Sequence, residues 1–173
     1  MNLAVDVQYY NDSAVVAGIL FESWSSTVPL QEVVSASQDI LPYEPGNFYK
    51  RELPCILKLL DEHELTIETI VVDGYVYLDG TNKPGLGKRL YDALGQTTGV
   101  IGVAKKVFAG IGNEHAIIRG CSSKPLFITS TMDLDLAKNS IINMHGQHRI
   151  PTLLKRADQL CRQEAKKQLR FDR

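Results

Sequence analysis

Apolar and polar positions change their period about a quarter of the way along the chain. Up to Ser37 they alternate loosely, and three segments read as strands: Leu3 to Tyr9, Ala14 to Glu22 and Leu30 to Ser37. Asn11-Asp12-Ser13 is a turn between the first two, so this part reads as an antiparallel meander. Ser35 to Gly46 is polar and proline-bearing, which predicts a loop. From Phe48 the apolar residues Leu53, Ile56, Leu57, Leu59 and Leu60 take helical spacing. Pro54 is tolerated in a first helical turn, so a regular helix is expected from near Arg51.

Further on, Thr69 to Asp73 and Thr98 to Ala104 are short continuous apolar runs, the kind buried on both faces of a sheet. A loop from Gly74 to Pro84 and a short helix from Gly85 to Leu94 separate them. Ala116 to Gly120 and Pro125 to Thr131 predict a hairpin pair. Asp133 to Met144 reads as a helix with Asp133 at its N-terminal end; Gly146 to Arg149 breaks it, and Pro151 opens a long final helix. A meander followed by alternating helix and strand, with helices last, is an α/β layer pattern. The order resembles the ribonuclease H-like fold, a mixed sheet flanked by helices.

Composition narrows the picture without naming a chemistry. A chain of 173 residues is expected to form one domain spanning residues 1–173. A formal net charge of −1 gives no global basic field to attract nucleic acid, although an acidic site could offset basic residues elsewhere. The cysteines, Cys55, Cys121 and Cys161, are far apart and lack metal-ligand spacing, which predicts a reduced, cytoplasmic protein. No signal segment and no membrane-crossing run is expected.

Candidate chemistry lies in four islands. Asp6, between Val5 and Val7, and Asp73, after Val71-Val72, interrupt runs that read as buried strands. A buried carboxylate is costly unless something binds it, and a shared divalent cation would remove that cost. Glu52 lies where a helix starts, and Lys105-Lys106 closes an apolar strand. Each has a plainer reading: Asp6 on an edge strand, Asp73-Gly74 as a turn, Glu52 complementing a helix dipole, Lys105 at a solvated strand end.

Taken together, the islands carry a resemblance to the endonuclease V family, which nicks DNA, or in some members RNA, near deaminated purines. The family's V-D-V strand is Val5-Asp6-Val7 here, and its P-Y-I-P-G-x-L-x-F-R-E-x-P segment is Pro42 to Pro54. V-D-G is Val72-Asp73-Gly74, I-G-V-A-K is Ile101 to Lys105, and R-I-P is Arg149-Ile150-Pro151. The resemblance implies a magnesium-dependent endonuclease, with Mn2+ as a substitute ion and DNA rather than RNA as the expected partner. Its implied substrate is an inosine-containing strand, as in DNA repair. Asp6, Asp73 and Glu52 would be the metal-binding acids and Lys105 the catalytic cation. Tyr43 would be the wedge filling the space of an everted base, with Pro45, Gly46 and Gly74 shaping the substrate site.

The chain departs from the family around that core. The second glycine and both histidines of D-G-x-G-x-x-H-P-R and G-x-A-S-H-L are absent from Tyr75 to Leu90. Glu44 stands where the wedge segment has an apolar residue, and the late S-x-G-H motif is reduced to Thr129 to Asp133. Tyr75, Val76 and Tyr77 are expected to narrow an inosine pocket, and the charge of Glu44 to repel nearby phosphate. Two alternatives stay open: a nuclease of the same chemistry without inosine preference, and a non-catalytic nucleic-acid-binding protein that keeps the fold. His145 and His148 are not expected to bind metal. The basic residues of the last helix read as a solvated face or a phosphate contact.

Overall fold

The computed structural model describes residues 1–172. Its centre is a seven-stranded sheet. Strands β1 (Asn2–Tyr10), β2 (Ser13–Phe21) and β3 (Gln31–Ser37) form the antiparallel meander that the alternation predicts. Helix α1 (Tyr49–Glu62) then crosses to β4 (Thr69–Asp73), which pairs parallel with β1. Helix α2 (Leu86–Ala93) leads to β5 (Gly99–Ala104), parallel to β4. The short β6 (Ala116–Ile117) and β7 (Leu126–Ser130) complete the order β3-β2-β1-β4-β5-β7-β6, both antiparallel to their neighbours. Helices α3 (Leu134–Asn143) and α4 (Thr152–Phe171) follow.

Strand alternation divides the core into two layers. Leu3 and Val5 of β1 join Ile70 and Val72 of β4 beneath α1 and α2. Ala4 joins Val71, Ile101 and Val103 beneath α3 and α4. Helix α4 lays Leu153, Ala157, Leu160, Cys161 and Ala165 on the sheet, one stripe at helical spacing. By the same alternation Asp6, Asp73 and Lys105 all face the α4 layer, whereas α1 covers the opposite face.

Three boundaries differ from the expected ones in an instructive way. Helix α1 begins at Tyr49, two residues before Arg51, which leaves Pro54 inside it. Its start is tightened by Lys50 N–H donating to the Asn47 carbonyl and Arg51 N–H to Phe48, so the proline falls just after an already irregular turn. The hairpin pair is much shorter on its first arm: only Ala116–Ile117 pairs with β7. Asp133 lies just outside α3 and caps it, accepting from Leu136 N–H at 2.9 Å.

Candidate active site

Three parallel strands bring their carboxyl ends to one edge of the α4 layer, where ligands of open α/β sheets gather. The register pairs Ala4 with Val71, so two residues on Asp6 and Asp73 lie side by side. Asp73 pairs with Val103, and Lys105 follows two positions later on the same face. Their side chains line a recess of about 120 Å³ floored by Val5, Val71, Val72 and Val103 and closed by Ile150, Leu154, Lys155 and Asp158 from the α4 side. Lys105 Nζ stands 3.8 Å from Asp73 Oδ2.

The electrostatics are those of crowded acids. Burial, then the charge of Asp73, lifts the Asp6 carboxyl to about 7, against one hydrogen bond from Val7 N–H at 2.9 Å. Asp73 is also raised, first by desolvation, with Lys105 opposing; half of its side-chain surface is open, but it opens into the recess. Asp158 adds its negative charge to both. Arg162 partly offsets it, donating to Asp158 at 2.7 Å from the exposed side of α4.

Glu52 does not line this recess. It is 7% exposed on α1, in the other layer, whereas Asp6 and Asp73 line the recess. The β1–β4 ladder stops at Ala4 and Val71. The Glu52 carboxyl is pushed well above the usual carboxylate range by burial, then by the charges of Asp6 and Asp73. It therefore belongs to the same electrostatic unit as Asp6 and Asp73. Arg51 stacks 3.9 Å over the Tyr9 ring, and the Tyr9 hydroxyl faces the Glu52 carboxyl.

Asp158 is the acid that the sequence reading missed. One ligand atom each from Asp6, Asp158 and Cys161 lie within 4.8 Å of one another. The Cys161 thiol is pushed up to about 12 by burial and by both acids, so it is protonated at neutral pH. A signal existed: Asp158 lies four residues after Leu154 and three before Cys161, at the border of the apolar stripe of α4. Lys155 joins the recess, whereas Arg156 pairs with Glu32 and Lys167 with Glu164, a solvated face as read.

The wedge segment is exposed. Tyr43 is 63% accessible, Pro45 and Gly46 form a turn with Gly46 at φ +79°, and Arg51 lies 6.0 Å from the Tyr43 ring. The expected repulsion from Glu44 is corrected by Lys50, whose Nζ sits 2.8 Å from Glu44 Oε2 and balances its charge. Gly74 adopts φ +131° with nothing within 4 Å of where a Cβ would stand, leaving bare backbone beside Asp73. Tyr75 and Val76 turn inward instead of filling space above it. The Tyr75 hydroxyl donates to the Lys106 carbonyl, and Val76 N–H donates to Thr129 Oγ1.

His145 meets Thr152 Oγ1, away from the acids. No described helix is long and apolar enough to cross a membrane. The cysteines are free.

The chain is similar to proteins of known family and fold. The Endonuclease V family model matches residues 2–119. Endonuclease V of Streptomyces avermitilis is 30% identical over 94% of this chain and 79% of its own length. Its crystal structure has a TM-score of 0.79 at 28% identity, covering 96% of this chain and 82% of that one. A Ciona intestinalis Endonuclease V, solved with a 24mer DNA containing an inosine followed by a ribo-adenosine, has a TM-score of 0.80. At 18% identity over 96% of this chain and 86% of that one, it speaks for the ribonuclease H-like fold alone.

Proposed function

Because the chain belongs to the endonuclease V family of nucleases, we propose that it cleaves a nucleic-acid phosphodiester with a divalent cation held at the Asp6–Asp73 recess. The observation that carries this reading is the convergence of Asp6, Asp73, Asp158 and Lys105 around one recess at the ends of parallel strands. The residues fit a hard cation. Their oxygens are carboxylate donors, and Asp6 is a half-buried acid whose own charge is disfavoured until a positive partner arrives. Mg2+, with Mn2+ as a substitute, would supply an acidified water and a counter-charge for phosphate oxygens.

The chain supplies the rest. Asp6 and Asp73 hold the cation, with Asp158 from α4 completing the acidic wall. Glu52, buried on α1 within the field of Asp6 and Asp73, would ionise and add its charge once a cation offsets theirs. Lys105, oriented by Asp73, meets the charge that grows on the scissile phosphate, and Lys155 lies across the recess from it. Tyr43 stands free on its turn to fill the space of an everted base, braced by Arg51. Pro45 and Gly46 shape that turn, and the bare backbone at Gly74 lets a nucleotide approach Asp73. DNA is the expected strand, as in the Ciona complex, and a deaminated purine the expected mark. The free cysteines support a reducing, cytoplasmic setting.

A second reading, cleavage with little inosine preference, draws support from the rebuilt segment after Asp73. The Tyr75 hydroxyl bond to the Lys106 carbonyl packs this segment, in which the second glycine of the family motif is absent. The test of the main reading is Asp73→Asn, which removes ligand charge with almost no change in volume. Magnesium-dependent nicking should fall by roughly a hundredfold or more while the melting temperature holds or rises. Turnover equal to wild type would reject Asp73 as a ligand.

A further inference from the structure

The two halves of the recess come from distant parts of the chain. Asp6, Asp73 and Lys105 ride on strands; Leu154, Lys155 and Asp158 ride on α4. Besides the packed stripe of α4, one polar side chain ties the segment before α4 to the end of β5. Arg149, just before Ile150 at the rim, donates through Nη2 to the Lys105 carbonyl. The same guanidinium donates to the Pro125 carbonyl, 2.7 Å from Nη2 and 3.2 Å from Nε. Its partners among the described residues are carbonyls rather than carboxylates.

The sheet explains why an arginine is needed there. The β5–β7 ladder ends with Ala104 opposite Phe127. Continuing the register by two would set Lys106 opposite Pro125, which has no N–H to donate. Pro125 has no N–H to meet the opposite strand, and the planar guanidinium, with five N–H groups in a fixed fork, donates to the Lys105 and Pro125 carbonyls there. A second arginine fixes the fork from behind. Arg119, 5% exposed, donates to the carbonyls of Met144, Gly146 and His148, pinning the segment that delivers Arg149.

We propose that Arg149 is a positioning residue for strand cleavage: by holding the Lys105 carbonyl it fixes where the Lys105 ammonium stands relative to Asp73 and to the α4 wall. This rests on the catalytic role proposed above for Lys105. Arg149 neither touches the acids nor needs to touch the substrate. Lysine cannot replace it, because one ammonium on a flexible stem cannot bridge two carbonyls in a set plane.

The test is a kinetic cycle on the whole chain with Arg149→Ala, Arg149→Lys, Lys105→Ala and the Lys105→Ala/Arg149→Ala double variant. Both Arg149 variants should lose roughly tenfold or more in turnover at saturating magnesium, with KM for the strand changed less than about twofold. The double variant should be no slower than Lys105→Ala alone, since the two residues act through one ammonium. Methylguanidinium added at low concentration should restore part of the turnover of Arg149→Ala and none in the double variant. That rescue separates positioning from a general loss of folding, which a small cation could not repair. A deficit that adds to that of Lys105→Ala, or a raised KM with turnover intact, would overturn the inference. Wild-type turnover in Lys105→Ala would overturn the Lys105 assignment itself, and this inference with it.

Discussion

Asp6 sits where a carboxylate is costly, and its titration makes that cost measurable. In the cation-free protein its carboxyl is raised from 3.8 to about 7, chiefly by burial. Between those values the folded chain keeps a proton that the unfolded chain has lost. Stability from this group is therefore complete at low pH and lost as pH rises through about 7. One such proton amounts to about 1.4 kcal/mol between about pH 6 and pH 8. Thermal melts without divalent cation should show this loss, Asp6→Asn should flatten it, and magnesium should offset it above pH 7 by taking the proton's place. An equal slope in wild type and Asp6→Asn would mean that Asp6 is not the half-buried acid described here. The same residue shows what could be read beforehand. An acid between two valines in a strand announces its own burial cost. Asp158 announces far less: only its place at the border of the apolar stripe of α4 marks it, it is surrounded in sequence by Lys155, Arg156 and Arg162, and it joins the site only when α4 docks across β1. Glu52 was visible as an acid at a helix start, but the layer its helix would cover depends on a crossover that residue spacing does not encode.

The strands were the most legible elements, because continuous apolar runs flanked by turns leave little choice. Thr69 to Asp73 was placed without error. The length of the hairpin was not, since pairing of Ala116–Ile117 depends on what lies across the sheet edge. How closely β5 and the loop after β4 approach was equally hidden. A Cβ on Gly102 would stand 2.6 Å from the Gly74 carbonyl oxygen, 2.7 Å from Thr129 Oγ1 and 2.9 Å from Val76 N. Thr129 Oγ1 is the acceptor for Val76 N–H, so the added methyl would push on the bond that anchors this loop. Gly102→Ala should cost about 1–3 kcal/mol of stability, as overpacking of a tight contact does. It should also lower turnover in the fraction that folds, because Gly74 and Asp73 move together. Urea unfolding and turnover per folded molecule check both; a wild-type midpoint would show that β5 has slack at this position.

In the whole molecule, the residues proposed to do the chemistry and those proposed to recognise the target are built on different parts. The acids and Lys105 stand on strand ends and α4, a frame with two packed cores behind it. Tyr43 and the segment from Tyr75 to Pro84 are loops, where this chain departs most from its family's motifs. Cleavage should accordingly be retained while discrimination is relaxed. The decisive measurement is a competition in which inosine-containing and undamaged DNA strands share one preparation, with magnesium and then with a chelator. Both strands should be nicked only with the cation present, and inosine should be favoured by roughly tenfold or less, about the value of one modest contact in a binding pocket. Cleavage that continues in chelator, or no cleavage of either strand at saturating magnesium, would contradict the assignment of the Asp6–Asp73 recess as a cation-dependent nuclease site.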